Sequence, residues 1–174
     1  MGDFAVKKQK IVCICGRKNM GKTTLMENLI REFTSRGYKV AAIKHDGHDF
    51  EPDVEGTDSF RFAKAGAYGT AVFSKERVMM IKQIQKMREE AIFLFYPEAD
   101  FILVEGLKNS SYPKIEIVRK GVSKELPLLC SNPEGRFLVA TDRNIQENIK
   151  TGKVCNISDI SKIADEIIKV IYKD

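Results

Sequence analysis

Residues 11–24 read Ile11-Val12-Cys13-Ile14-Cys15-Gly16-Arg17-Lys18-Asn19-Met20-Gly21-Lys22-Thr23-Thr24. From Gly16 to Thr23 this is an unbroken match to G-x-x-x-x-G-K-[ST], and an apolar run leads into it. The glycines let the backbone curl so that successive N–H groups point inward, and the helix that follows begins with its positive dipole end at the same place. A strand, such a loop and a helix in that order form a phosphate cradle. Lys22 is placed among the β and γ phosphates of a nucleoside triphosphate, and the Thr23 hydroxyl on Mg²⁺.

Outward from the loop, the elements alternate as a parallel α/β sheet requires. A helix is expected over about Lys22 to Ser35, with Leu25, Leu29, Ile30 and Phe33 on one face and Gly37 as a left-handed cap. Tyr38 to Ile43 reads as the second strand, and a short helix follows near Asp58–Ala65. Gly69–Ser74 and Arg77–Ile81, split by Lys75-Glu76, read as an antiparallel hairpin. Ile84, Met87, Ala91, Leu94 and Phe95 recur at helical spacing. Phe101–Val104 and Phe137–Ala140 read as buried strands, Lys114–Arg119 as an alternating outer strand, and a last helix starts near Ser158. The expected fold is α/β and P-loop NTPase-like: a mostly parallel sheet with helices on both faces, plus an added antiparallel hairpin. Residues 1–174 are expected to form a single nucleotide-binding domain.

Composition narrows the class. The chain has 174 residues, 43% hydrophobic and 30% charged, as an ordinary globule has. No run approaches the ~20 apolar residues of a membrane span, and Met1 to Lys10 lacks the apolar stretch of a signal peptide. A cytoplasmic protein with no membrane partner is expected. The net charge of +5 carries no basic–aromatic array, so it favours an anionic small ligand over nucleic acid. Cys13 and Cys15 share one face of a strand and read as buried thiols, while Cys130 and Cys155 stand alone.

Three further clusters carry chemistry. Asp100-Phe101-Ile102-Leu103-Val104-Glu105-Gly106 puts Glu105 at the carboxyl end of an apolar strand, where a carboxylate holds Mg²⁺ directly or through water. Asp100, at the other end of that strand, is expected at the opposite edge of the sheet. Lys44-His45-Asp46-Gly47-His48-Asp49 follows the second strand, in a loop that opens where ligands bind in doubly wound sheets. Lys44 suits a phosphate, Asp46 a Mg²⁺-bound water, and a histidine a phosphate or a metal. Lys22 and Asp46 are the candidate catalytic groups. Ala140-Thr141-Asp142 offers a carboxylate to guanine's N1–H and 2-amino group, which adenine cannot match. The usual guanine-reading pattern has lysine two residues before the aspartate; here that residue is Ala140.

Taken together, GRKNMGKTTL (16–25), AAIKHDGHDFEPDVEGTDSFRFAKAGA (41–67), DFILVEGLK (100–108), PKIEIVR (113–119) and VATD (139–142) resemble the molybdopterin-guanine dinucleotide biosynthesis adapter family, MobB. The resemblance implies a GTP-binding protein with weak GTPase activity that assists the nucleotidyltransferase joining GMP to molybdopterin. It also implies a homodimer whose added strands extend the sheet between subunits. Carried onto this chain, it places GTP on Gly16, Arg17, Lys18, Asn19, Met20, Gly21, Lys22, Thr23 and Thr24, Mg²⁺ on Thr23 and Glu105, and guanine on Asp142. Lys44, His45, Asp46, Asp58, Arg61 and Gly66 fall in the family's second motif, without individual roles. Lys44, His45 and Arg61 are grouped with the binding residues. Arg61 and Lys64, with Lys108 and Lys114, are candidates to face the phosphate of molybdopterin or its molybdenum-bound form.

Two other functions use the same loop. A small-molecule kinase would take Asp46 as base and a cationic lid from residues 107–125. A metal-inserting GTPase would rest on His45, His48 and Cys13 or Cys15. The sequence shows no obvious arginine finger and no glutamine placed to orient water, in keeping with slow hydrolysis.

Overall fold

Ile11–Cys15 forms the first strand, β1, and every residue in it is buried. Such a run, apolar on both faces, belongs inside a parallel sheet. The structure, a computed structural model, describes residues 10–45, 50, 52–85, 87–120, 135–143 and 152–173. It divides into two compact units, one of residues 1–45 and 93–174 and one of residues 46–92.

In the first unit six strands form one parallel sheet: β1, β2 (Val40–Lys44), β5 (Phe101–Glu105), β6 (Lys114–Val118), β7 (Arg136–Thr141) and β8 (Lys153–Asn156). Their order is β2-β5-β1-β6-β7-β8. β1 therefore lies inside the sheet, between β5 and β6, and all six carboxyl ends share one edge. Helices α1 (Lys22–Ser35) and α4 (Ile160–Ile171) pack on one face, where Leu25, Leu29, Phe33, Ile163 and Ile167 close over Val12, Ile14, Leu103, Ile115 and Leu138.

α1 ends as its sequence predicts. Gly37 has φ 84°, its N–H donates to Thr34 O, and the Tyr38 N–H donates to Phe33 O, the paired bonds of a Schellman cap. Arg36 then ties the two helices together: it donates to Glu32 Oε1 (2.9 Å from Nε), Asp165 Oδ1 (2.6 Å) and Ser161 Oγ (2.9 Å). At α4, Asp159 accepts from the Lys162 N–H as N-cap.

On the other face of the sheet Cys13, Cys15, Lys114, Glu116 and Arg136 are buried. Lys114 Nζ donates to Ser110 O (2.6 Å), and Arg136 Nη1 donates to Glu116 Oε2 (3.0 Å). This corrects the reading of 114–119 as an outer strand. β6 is interior, and its alternating polar side chains meet a carbonyl and a buried partner instead of water. It also removes Lys114 as a surface cation for a pterin phosphate, because that side chain is wholly buried.

Two further differences appear. The helical spacing over 84–95 yields only α3 (Glu89–Phe93), a short helix whose one buried residue is Phe93, while Ile84, Met87, Leu94 and Phe95 are exposed. β8 has no counterpart among the expected strands, since of its four residues only Cys155 is buried.

The second unit holds α2 (Asp58–Lys64) and a two-stranded antiparallel sheet of β3 (Gly69–Phe73) and β4 (Val78–Lys82). Thr57 caps α2 by accepting from the Phe60 N–H. The hairpin turns at Lys75-Glu76, with the Ser74 N–H on Arg77 O at 2.7 Å. Among the described residues, no helix is long and apolar enough to cross a membrane.

One carboxylate makes part of this fold sensitive to pH. Glu166, its side chain 11% exposed, accepts from Lys153 Nζ (2.6 Å) and Lys169 Nζ (2.8 Å). Lys153 first, then Lys169, hold its carboxyl below the usual range, against the opposing pull of burial. A lowered folded-state value gives stability that is present above the unfolded value of about 4.3 and is lost as pH falls through the folded one. Glu166→Gln is therefore expected to lower the melting temperature at pH 7 and to converge on the wild type below about pH 4. A gap between the two proteins that persists unchanged in acid would rule the carboxylate out as its source.

Candidate functional site

The first unit gathers its chemistry at the carboxyl edge of the sheet. Between β1 and α1, the loop 16–21 reaches the helix through Gly21, which stands at the N-cap with φ 84°. Asn19, at φ 63°, takes the second left-handed position, one that asparagine tolerates better than most side chains. α1 has no side-chain cap and no acidic residue in its first turn, so its positive end faces the loop undiluted. Lys22 Nζ donates to Arg17 O at 3.0 Å, which folds the side chain back across the loop.

Glu105 reaches this loop from β5. Its strand neighbours are Ile14 on one side and Lys44 on the other. The Thr23 hydroxyl donates to Glu105 Oε2 at 3.0 Å. The two groups named from sequence as Mg²⁺ ligands are thus in direct contact, and both offer the oxygen donors this ion takes. Next in the chain, the Gly106 N–H donates to Ile14 O, and the His45 N–H donates to Glu105 O. Gly106 has φ 123°, and a Cβ there would lie 2.9 Å from His45 O, so only glycine fits. Lys44, His45, Glu105 and the phosphate loop are therefore brought together. Asp46, His48 and Asp49 lie outside the described residues, as does Cys130. Asp100 sits at the opposite end of β5, where its carboxylate accepts from the Lys39 N–H.

Asp142 stands just beyond β7, beside the end of β6. Its Oδ1 accepts from the Lys120 N–H at 2.7 Å and its Oδ2 from Arg119 Nε at 3.3 Å. Burial alone would push this carboxyl up, but the Lys120 amide and the Arg119 guanidinium outweigh it and hold it below the usual range. Beside Arg119 a recess of about 260 Å³ is lined by Gly21, Thr24, Asn28, Ile157 and Ser158 among others. Sequence reading missed Asn28 and Ser158 and saw Arg119 only as lid charge. The signal available was the dipeptide Ile157-Ser158 just ahead of the α4 N-cap, which follows a strand too short to notice.

Arg61 belongs to the second unit, on α2, in an exposed pair with Asp58 at 3.7 Å. Cys13 and Cys15 are buried thiols of β1, and Cys15 Sγ donates to Gly106 O at 3.1 Å. Among the described residues, no group of three or more His, Cys, Asp or Glu side chains is placed to hold a metal ion.

Comparison with known proteins gives this edge its context. The family model for MobB, described as molybdopterin guanine dinucleotide synthesis protein B, matches residues 11–142. A molybdopterin-guanine dinucleotide biosynthesis adapter protein of Escherichia coli K12 is 31% identical over 160 residues, 88% of each chain. The chain belongs to the MobB family. A probable adapter protein of the same kind from Bacillus subtilis is 34% identical over 116 residues, 65% of this chain and 67% of the relative. The crystal structure of Bacillus subtilis MobB superposes with a TM-score of 0.71 at 25% identity, covering 95% of this chain and 99% of the other. A MobB homologue from Bacillus stearothermophilus gives 0.67 at 19% identity, which speaks for the fold. The stretch matched to MobB runs from β1 to Asp142, so it contains the phosphate loop, Glu105 and the Arg119–Asp142 pair. β8 and α4 lie beyond it.

Proposed function

We propose that this chain is a guanine-nucleotide-binding adapter in molybdopterin guanine dinucleotide synthesis. In this reading it binds GTP with Mg²⁺ at residues 16–24 and works with the nucleotidyltransferase that joins GMP to molybdopterin. The observation that carries the reading is the contact of Thr23 with Glu105 across 82 residues of chain. It sets a hydroxyl and a carboxylate side by side at the start of α1, where Mg²⁺ meets the phosphates in this class of fold. The ion would neutralise the triphosphate charge there. Lys22 would turn from Arg17 O to the β and γ phosphates, and the loop amides with the start of α1 would hold the phosphate oxygens. Lys44 and His45 lie beside Glu105, at the rim of the phosphates. Membership of the MobB family and the adapter names of its relatives support the pathway.

Guanine selection is assigned to Asp142. Wild-type protein is expected to bind GTP at least about tenfold more tightly than ATP, because adenine would leave this carboxylate without its two donors. Asp142→Ala is expected to bring the two affinities together, read by equilibrium displacement of a fluorescent nucleotide. Equal affinities in the wild type would remove the guanine assignment.

The second unit supports a homodimer. Val72, Phe73, Val78 and Met80 of the hairpin are each more than half exposed, and a lone two-stranded sheet is marginal in water until something covers it. A second copy adding strand to strand would do so. Light scattering is expected to give twice the mass of the chain; a monomer at micromolar concentration would sink the dimer.

A further inference from the structure

The position two residues before Asp142, where the guanine-reading pattern carries lysine, is Ala140, and it is wholly buried. A cation nevertheless reaches the carboxylate, from the neighbouring strand. Val118 and Thr141 are partners in the β6–β7 ladder, so Arg119 and Asp142 leave adjacent strands at the same level. Arg119 Nε donates to one carboxylate oxygen, and the Lys120 N–H donates to the other. An ionised carboxylate has about four acceptor sites, two on each oxygen. Among the described residues, two donors from the end of β6 each hold one oxygen, and the backbone amide of Asp142 itself adds a weaker contact. Guanine presents two donors side by side, N1–H and the 2-amino group. At its far end the same guanidinium approaches the phosphate loop: a Cβ on Gly21 would lie 3.5 Å from Arg119 Nη1. Arg119 therefore lines the recess at the start of α1 and bonds Asp142 through its Nε.

We propose that Arg119 is the positioning residue for guanine selection, holding the Asp142 carboxylate in the orientation that meets the base. It takes the place of the missing lysine from β6 instead of β7. The proposal rests on the GTP reading given above. A purely structural role is separable from it, because the pair is open to solvent, with side-chain exposures of 45% and 31%. Pairs so exposed contribute little to fold stability.

The test measures the affinities of Mg²⁺-GTP, Mg²⁺-ATP and inorganic tripolyphosphate for the wild type, Arg119→Ala and Asp142→Ala. Arg119→Ala is expected to cut the GTP-to-ATP preference about tenfold, as loss of a charge-assisted hydrogen bond does. Tripolyphosphate affinity should hold within about twofold and the melting temperature within about 2 °C. An unchanged preference in Arg119→Ala, with the preference lost in Asp142→Ala, overturns the proposal and leaves the GTP reading standing. A parallel fall for GTP, ATP and tripolyphosphate also overturns it, because Arg119 would then serve the phosphates. A wild type with no preference refutes the GTP reading itself, and the role of Arg119 goes with it.

Discussion

Lys22→Ala is expected to weaken GTP binding about a thousandfold while leaving the fold intact. Two charge-assisted hydrogen bonds to phosphate oxygens, at roughly 1.5–3 kcal/mol each, set that scale. The folded protein loses little by comparison. Among the described residues Lys22 Nζ bonds to the Arg17 carbonyl in an open loop, and water can take its place there. Calorimetric titration with Mg²⁺-GTP, beside a thermal melt, separates the two effects. A loss of less than tenfold would move the phosphates away from Lys22. An equal loss of stability would make the residue a structural one.

The largest effect on the fold itself is expected from Phe33→Ala. Phe33 is fully buried on α1, and its ring meets Phe101 edge-on at 4.6 Å and Tyr38 at 6.1 Å. Removing a buried phenylalanine costs about 3–5 kcal/mol in lost transfer energy and residual cavity, and the edge-to-face pairs add to it. Phe33 also supplies the carbonyl that closes the Schellman cap, and its ring contact with Tyr38 braces that turn. For a chain of this size the melting temperature should fall by roughly 10 °C. Urea unfolding reads the free energy directly. A change below about 1.5 kcal/mol would mean that the site collapses around the smaller side chain.

How much of this was legible in the sequence depended on distance along the chain. The phosphate loop, β1 and α1 are contiguous, so their order alone specified a cradle. Glu105 was legible because a lone carboxylate closes a wholly apolar run. β6 was misplaced because the partner that lets Glu116 be buried, Arg136, comes twenty residues later. Only the pairing of β6 with β7 brings it near. The same ladder sets Arg119 beside Asp142, and nothing local to either residue announces it. The periodicity over 84–95 misled for the converse reason. A repeat of apolar side chains specifies a helix only if a surface buries them, and among the described residues of that segment only Phe93 is buried.

The strand order has a consequence for how the chain is made. β1 pairs with β5 and β6 and never with β2. On the ribosome its five apolar residues emerge before either of the strands that flank it. Both strands that flank it are complete only after residue 118 has been made. Such distant pairing slows folding and leaves hydrophobic surface exposed in the meantime. In the nascent chain α1 can cover one face of β1, but no ladder can form on either edge. The strand that carries the phosphate loop is synthesised ahead of both its neighbours and must wait about a hundred residues for the second of them before it is held.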